Sequence, residues 1–365
     1  MAASQNATKR VAVLDDYAGI APKHFENIKH AKVSYWDQTL DASKEDELQA
    51  LIRRLEPYEV VSSMRERTAF PPGLLERLPK LKLLLTTGMR NNSIDLPAAS
   101  QNNIIVTGTK GERLSESHYA DKPYEAPPPA TGPSTVIQHS WALLLSLTSR
   151  IVEHHSLLQD QSRPTAWQQG TILTLPGKTL GLVGLGKLGR AFGKIAVQSF
   201  GMKIVAWSSN LTQEKADEQA EAAGLERGTF QVVSKQDLLQ NADVVSLHLV
   251  LSDRTRGVVG KDELGLMNKR AVLLNTSRGG LIDEAALIES LKSGGIAGFA
   301  SDVFWEEPLG PQSAWRKVGE WSKSAVVLSP HMAYVNEGTM NRWYEEHAEI
   351  LQQYLDGKEL KNRLN

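Results

Sequence analysis

Cysteine is absent from this 365-residue chain. That removes disulfides, thiolate metal sites and a cysteine nucleophile from consideration, and it fits a reducing compartment. Net charge is almost absent too, since 41 Lys and Arg against 42 Asp and Glu leave −1. So balanced a chain offers no broad cationic face, and neither nucleic acid nor an anionic membrane is expected as a main partner. Long apolar runs are missing. The densest, Trp141–Leu147, falls far short of the roughly 20 residues that span a bilayer. The opening residues MAASQNATKR contain no apolar stretch of the secretory kind. These absences point to a soluble, cytoplasmic protein, and the length suggests two domains.

What is present is rhythm. Short β-rich runs at Arg10–Leu14, Ala31–Trp36, Tyr58–Ser62, Leu81–Thr86 and Asn103–Val106 alternate with helix-like stretches. The clearest helical stretch is Ser43–Leu55, which sets Leu48, Leu51, Ile52 and Leu55 on one face. Such alternation predicts βαβ units and parallel sheets covered on both sides, an α/β fold. Lys110–Pro133 interrupts it with Pro123, Pro127, Pro128, Pro129 and Pro133, and reads as a solvated insertion loop, the second reading being a cover near the site. From Ser134, a good cap, a largely apolar helix is expected to run to Gln159, buried on most of its sides. A second βαβ series occupies Thr179 to Pro330. The segment Asn336–Leu355, with Trp343, His347, Ile350, Leu351 and Tyr354 at helical spacing, should return to cover the first domain.

Within the second series, Thr179–Gly184 reads as a strand and Lys187–Ser199 as a helix, with Gly184-Leu-Gly186-Lys187-Leu188-Gly189 between them. Strand, GxGxxG and helix in that order are the context of a dinucleotide cradle. Gly184 makes the tight turn, Gly186 admits a pyrophosphate, and Gly189 lets helix and strand pack closely. The first turn of the helix offers unpaired N–H groups and a positive dipole end. After the next strand, Lys203–Trp207, a carboxylate for the adenosine ribose of NAD would be usual. Ser208 stands there instead, followed by Ser209, Asn210, Leu211 and Thr212. With no acid to repel a 2′-phosphate, NADP is favoured over NAD, although that stretch holds no arginine to pair with one.

Three apolar strands end in reactive groups: Ala271–Gly279 in Arg278, Gly298–Pro308 in Asp302 and Glu307, and Val326–Tyr334 in His331. In open parallel sheets ligands sit beyond the carboxyl ends of the strands. An imidazole, a carboxylate and a guanidinium beside a dinucleotide suit reduction of a ketone. Histidine donates the proton, the carboxylate fixes its tautomer, and arginine pairs with a substrate carboxylate or carbonyl. Glu306, beside Glu307, reads as a solvated charge. His154 and His155 are adjacent, so they cannot share one metal ion from a helix, and no metal site is expected.

The segments GLGKLG, HLVLSDRTRG, NTSRGGLIDEAAL, DVFWEEPL and SPHMAY fall in the order seen in the D-isomer-specific 2-hydroxyacid dehydrogenases, and the chain resembles that family over nearly its whole length. The resemblance implies two Rossmann-like or flavodoxin-like domains with parallel sheets. Residues 1–109 plus 332–365 would form the substrate domain from both chain ends, residues 134–331 the dinucleotide domain, and residues 110–133 an insertion. It implies His331 as acid/base, Glu307 as its partner and Arg278 as the substrate-orienting cation. Asp302 would bond the nicotinamide carboxamide, while Thr276, Leu249 and Val250 line the dinucleotide cleft with Gly184, Gly186, Lys187, Leu188, Gly189 and Ser208. The loop Thr87–Asp95 would receive the substrate carboxylate on backbone amides. Gly88, Met89 and Arg90 are its candidates, together with Arg278. The family dimerises through the helix matching Ser134–Gln159, so a homodimer is implied.

The function implied is NAD(P)-dependent interconversion of a small 2-oxo acid, such as glyoxylate or hydroxypyruvate, and its D-2-hydroxy acid. Val250 replaces a common proline, a mild departure. Formate dehydrogenases of this fold pair their histidine with glutamine, so Glu307 argues against that activity. The alternative is a dinucleotide-sensing, corepressor-like binding protein on the same scaffold, which would also keep the triad.

Overall fold

The computed structural model describes residues 8–111 and 134–365. The proline-rich segment expected as an insertion loop lies, but for its first two residues, outside them. The described residues fall into two compact units, one of 8–111 with 335–365 and the other of 134–334.

The first unit is built on five parallel strands: β1 (Lys9–Leu14), β2 (Ala31–Trp36), β3 (Val60–Ser63), β4 (Leu83–Thr86) and β5 (Ile105–Thr107), in the order β2-β1-β3-β4-β5. β3 and β4 are buried along their full length, as central parallel strands covered on both faces must be. The helix Glu45–Leu55 carries Glu45, Asp46 and Glu47 in its first turn and Arg53 and Arg54 in its last. Both sets complement the helix dipole, and Leu51 and Leu55 bury the opposite face against Val61, Leu74 and Leu84.

The helix Glu337–Leu355 packs on this unit although the other unit separates them in sequence. Its contacts are polar as well as apolar. Asn341 Oδ1 meets His24 Nε2 at 2.8 Å, His347 Nδ1 meets Ser62 Oγ at 2.9 Å, and Tyr344 sets its edge on Phe25. His347 has no exposed surface, and burial pulls its pKa down from 6.5 to about 4. In the unfolded chain the ring takes a proton at higher pH than in the folded one. Its contribution is therefore complete above pH 6.5 and is lost as pH falls towards 4, by roughly 2 kcal/mol at pH 5. Urea melts at pH 7.5 and pH 5 should show this loss. His347→Gln, which keeps a partner for Ser62 but cannot titrate, should flatten the difference; equal pH dependence in both proteins would refute the attribution.

The second unit holds seven parallel strands: β6 (Thr179–Val183), β7 (Lys203–Trp207), β8 (Phe230–Val232), β9 (Val244–Leu247), β10 (Val272–Asn275), β11 (Gly298–Ser301) and β12 (Ala325–Leu328). Their order is β12-β11-β10-β9-β6-β7-β8. Two all-parallel α/β sheets are thus present, as the alternating pattern predicts. Apolar cores lie on both faces of this one, centred on Leu182, Phe192 and Leu274 on one side and Val245, Leu273 and Phe299 on the other. The strand order reverses between β6 and β9, and such a reversal opens a crevice at the carboxyl ends.

Sequence reading expects one helix over Ser134–Gln159; the structure has two, Thr135–Thr148 and Ile151–Gln159. Arg150 breaks them apart by taking a left-handed backbone, φ 54°, which cannot be propagated by L-residues; its guanidinium pairs with Glu153. The expected burial holds for the first helix alone, which lies across β10, β11 and β12. The second exposes Ile151, Val152 and Leu158, with Trp167 and Ile172 exposed beyond it. Among the described residues no helix is long and apolar enough to cross a membrane.

Candidate active site

The chemistry gathers at the carboxyl ends of the strands of the second unit. Gly184 follows β6 with φ +104°, a conformation open to glycine and costly for other residues. A Cβ there would meet the His248 carbonyl carbon at 2.8 Å, and one on Gly189 would meet Gly184 O at 2.3 Å. Gly186, between them, faces open space. One glycine therefore turns the chain, one seats the helix Lys187–Phe200 on β6, and one keeps the mouth clear. This division of labour fits a pyrophosphate. Lys187 and Leu188 are exposed in the first helical turn. Across the crevice His248 forms a wall, its Nε2 2.9 Å from Ser246 Oγ. Burial pulls its pKa down to about 4 and keeps it neutral. Leu249 packs into the core beneath, and Val250 is exposed at the rim.

Beyond β7, Ser208 O accepts from Leu211 N at 3.2 Å, and Thr212 Oγ1 caps the next helix. Two lysines approach this loop, Lys215 from the first turn of the helix that follows it and Lys235 from further along the chain. Lys215 Nζ donates to Asn210 O at 3.3 Å. Lys235 lies 5.6 Å over the Trp207 ring while paired with Glu263 at 2.5 Å.

Arg278 stands on a turn that Asn275 locks. The fully buried Asn275 donates Nδ2 to Arg278 O at 2.9 Å and accepts Ser277 N at 3.1 Å. Thr276 Oγ1 meets Ser140 Oγ at 2.8 Å. Gly279 brings this turn against the segment that carries Glu307, since a Cβ at 279 would fall 2.3 Å from the Phe304 carbonyl carbon. Any larger residue there would push the two apart.

Glu307 divides its oxygens. Oε1 accepts the Phe304 amide at 2.8 Å, and Oε2 meets His331 Nδ1 at 2.6 Å. The two side chains keep 29% and 24% of their surface, sheltered yet reachable. Burial alone would raise the pKa of Glu307. The His331 bond and charge, the Phe304 amide and the Arg278 charge outweigh it and hold the carboxyl below its ordinary value. Glu307 is thus anionic at neutral pH, and the ring has Nε2 left for proton exchange. His331 itself has φ +56°, a strain of about 1 kcal/mol that persists only where neighbours fix the backbone. Glu306, next to Glu307, is exposed.

Asp302 has no exposed surface and accepts four hydrogen bonds, so its carboxylate is committed within the fold and presents no open face to the nicotinamide carboxamide that the resemblance implies for it. Ser329 Oγ, His139 Nε2 (3.2 Å) and Met332 N (2.8 Å) reach Oδ1, and Ala333 N (2.9 Å) reaches Oδ2.

In the first unit, the loop Thr87–Asp95 follows β4. Gly88, φ +83°, donates its N–H to Thr109 Oγ1 at 2.8 Å, and Met89 and Arg90 are exposed. Among the described residues no group of three or more His, Asp or Glu is placed to hold a metal.

Sequence reading does not find Gly279, Lys215, Lys235 or His139. The pair Gly279-Gly280 after an arginine is a readable sign of close backbone approach; a single histidine in a helix and isolated lysines carry none.

Residues 141–333 match the model of the D-isomer specific 2-hydroxyacid dehydrogenase NAD binding domain. The chain is 33% identical to a glyoxylate reductase of Aeropyrum pernix, over 85% of this chain and 86% of that one. It is 35% identical to a glyoxylate reductase of Thermococcus litoralis, over 71% and 69%. A solved phosphoglycerate oxidoreductase of Vibrio cholerae superposes with a TM-score of 0.75 at 27% identity, over 96% of this chain and 99% of that one.

Proposed function

The chain belongs to the D-isomer specific 2-hydroxyacid dehydrogenase family, and from that premise we propose that it reduces a small 2-oxo acid, glyoxylate or hydroxypyruvate, to the D-2-hydroxy acid. The oxidoreductase class and the nicotinamide dinucleotide come with the family. The substrate and the residue roles are the proposal. One observation carries it: His331 Nδ1 sits 2.6 Å from Glu307 Oε2, close to the turn of Arg278 and in the same unit as the glycine cradle.

The dinucleotide, when bound, supplies the hydride. Gly184, Gly186 and Gly189, with the exposed first turn at Lys187 and Leu188, would hold its pyrophosphate. Leu249, Val250 and Thr276 would border it. Arg278 pairs through its forked donors with the substrate carboxylate. His331 gives a proton from Nε2 to the oxygen on which charge develops. Glu307 keeps the other ring proton on Nδ1 and balances the charge of the ring while it holds the transferable proton. The amides of Met89 and Arg90 are proposed to receive the carboxylate; that of Gly88 is engaged by Thr109.

NADP is proposed as the preferred form. Ser208 removes the usual acid, and Lys215 and Lys235 bring cationic charge near the end of β7. We also propose a homodimer through the stretch 134–159, where Ile151, Val152 and Leu158 stand exposed; a monomer in sedimentation would contradict it. The central test is initial rates over glyoxylate, hydroxypyruvate, pyruvate and phenylpyruvate, each with NADH and NADPH. Glyoxylate and hydroxypyruvate with NADPH should give the highest kcat/KM. Turnover confined to the aromatic acid would overturn the substrate, and a tenfold preference for NADH would overturn the cofactor.

A further inference from the structure

His331 is held in a left-handed backbone, φ +56°, and what holds it lies on both flanks. Two residues before it, Ser329 Oγ donates to Asp302 Oδ1; directly after it, the amides of Met332 and Ala333 donate to Oδ1 and Oδ2. Asp302 thus grips the turn like a staple, from inside the protein. A staple of this kind needs its own support, because a fully buried carboxylate is stable only while its lone pairs are met by donors.

The remaining donor comes from another element. His139, on the helix Thr135–Thr148, sets Nε2 2.8 Å from Ser329 Oγ and 3.2 Å from Asp302 Oδ1. Ser329 has a single hydroxyl hydrogen, and Asp302, an acceptor when ionised, takes it. The Ser329 oxygen is then free only to accept, so Nε2 of His139 must carry the hydrogen and donate. The next residue of the same helix, Ser140, bonds Thr276 Oγ1 at the turn of Arg278. Adjacent residues on one helix therefore index the two turns that present His331 and Arg278.

We infer that His139 is a positioning residue, whose Nε2–H, shared between Ser329 and Asp302, completes the clamp that holds His331 against Glu307. This inference rests on the reductase reading. It adds that the proton donor is aligned from the helix Thr135–Thr148 and not by Glu307 alone. Without the donor, Asp302 and Ser329 lose a partner, the turn relaxes towards an ordinary backbone, and the ring spends less time in line with the reacting oxygen. A loss of this kind falls on turnover and leaves ground-state cofactor binding alone.

The test uses the full-length protein with glyoxylate and NADPH, and NADPH binding by fluorescence titration. His139→Ala should lower kcat tenfold or more, with the NADPH dissociation constant within twofold of the parent. His139→Gln, which restores an N–H donor of similar reach without a titrating ring, should recover most of the loss. Should His139→Ala not fold, Ser329→Ala, which removes the bridging hydroxyl, should give the same split between kcat and NADPH affinity. Unchanged kcat in the folded His139 or Ser329 variant overturns the inference. So does a parallel fall of kcat, NADPH affinity and Tm that glutamine does not repair, since that is the signature of general support for the fold. Failure of the reductase reading is recognised separately: it would show as undiminished turnover in His331→Ala, whatever the His139 variants do.

Discussion

Replacing His331 by alanine should lower kcat at least a hundredfold while NADPH binds as before. The size follows from the typical contribution of a positioned general acid, ~10²–10⁴ in rate, or about 2.7 kcal/mol at the lower bound. The selectivity follows from position. The ring stands at the end of β12, paired with Glu307, whereas the glycine cradle follows β6, with three strands between them in the sheet. Removing the imidazole removes the proton donor and leaves Glu307 without its partner. The carboxyl, relieved of the bond and charge that hold its pKa down, then answers more to its burial and moves up. The pH profile should therefore change shape as well as height. Glu307→Gln keeps a hydrogen-bond acceptor for Nδ1 but removes the balancing charge, and should fall between parent and His331→Ala. Steady-state kinetics across pH 5–9 give both comparisons, and an undiminished kcat in His331→Ala would dismiss the proton-transfer role.

Arg278→Ala should act differently, costing about a hundredfold in kcat/KM, the order of one charge-assisted forked pair of bonds to a carboxylate. Its turn is fixed by Asn275, Ser277 and the close approach of Gly279 to Phe304, so truncating the exposed side chain should leave the backbone in place. Arg278→Lys separates charge from shape. It retains a cation, yet a point charge on a flexible stem cannot reproduce a planar fork, and at least a tenfold loss should remain. Equal kcat/KM for the lysine variant and the parent would show that charge alone suffices. A loss confined to NADPH affinity would place Arg278 on the cofactor instead.

Much of this is legible in the sequence. Strands such as Leu83–Thr86, Val244–Leu247 and Val272–Asn275 announce themselves as runs of Val and Leu, because central parallel strands are covered on both faces and need not alternate. The glycine spacing is legible because each glycine answers a steric demand that other residues fail. Helix ends are harder. Nothing in Ser149-Arg150-Ile151 signals a break, because arginine has no intrinsic preference for a left-handed backbone. The same is true of His331, whose strained φ is invisible in SPHMAY. His139 stayed hidden for a third reason: its partners lie 163 and 190 residues away along the chain, and no periodicity encodes such a distance. Local pattern reports local geometry, and a clamp assembled from three separate elements has no local pattern to report.

The segment 335–365, with the helix Glu337–Leu355, completes a unit whose remaining described residues, 8–111, were made before the intervening 134–334. On the ribosome, the side chains of His24, Phe25 and Ser62 wait for partners that emerge some three hundred residues later, and meanwhile an apolar and polar surface stands uncovered. The inserted unit, contiguous in sequence, has all of its own strands at hand first. Synthesis order thus favours maturation from the middle outward, the early-made unit being the last to be finished.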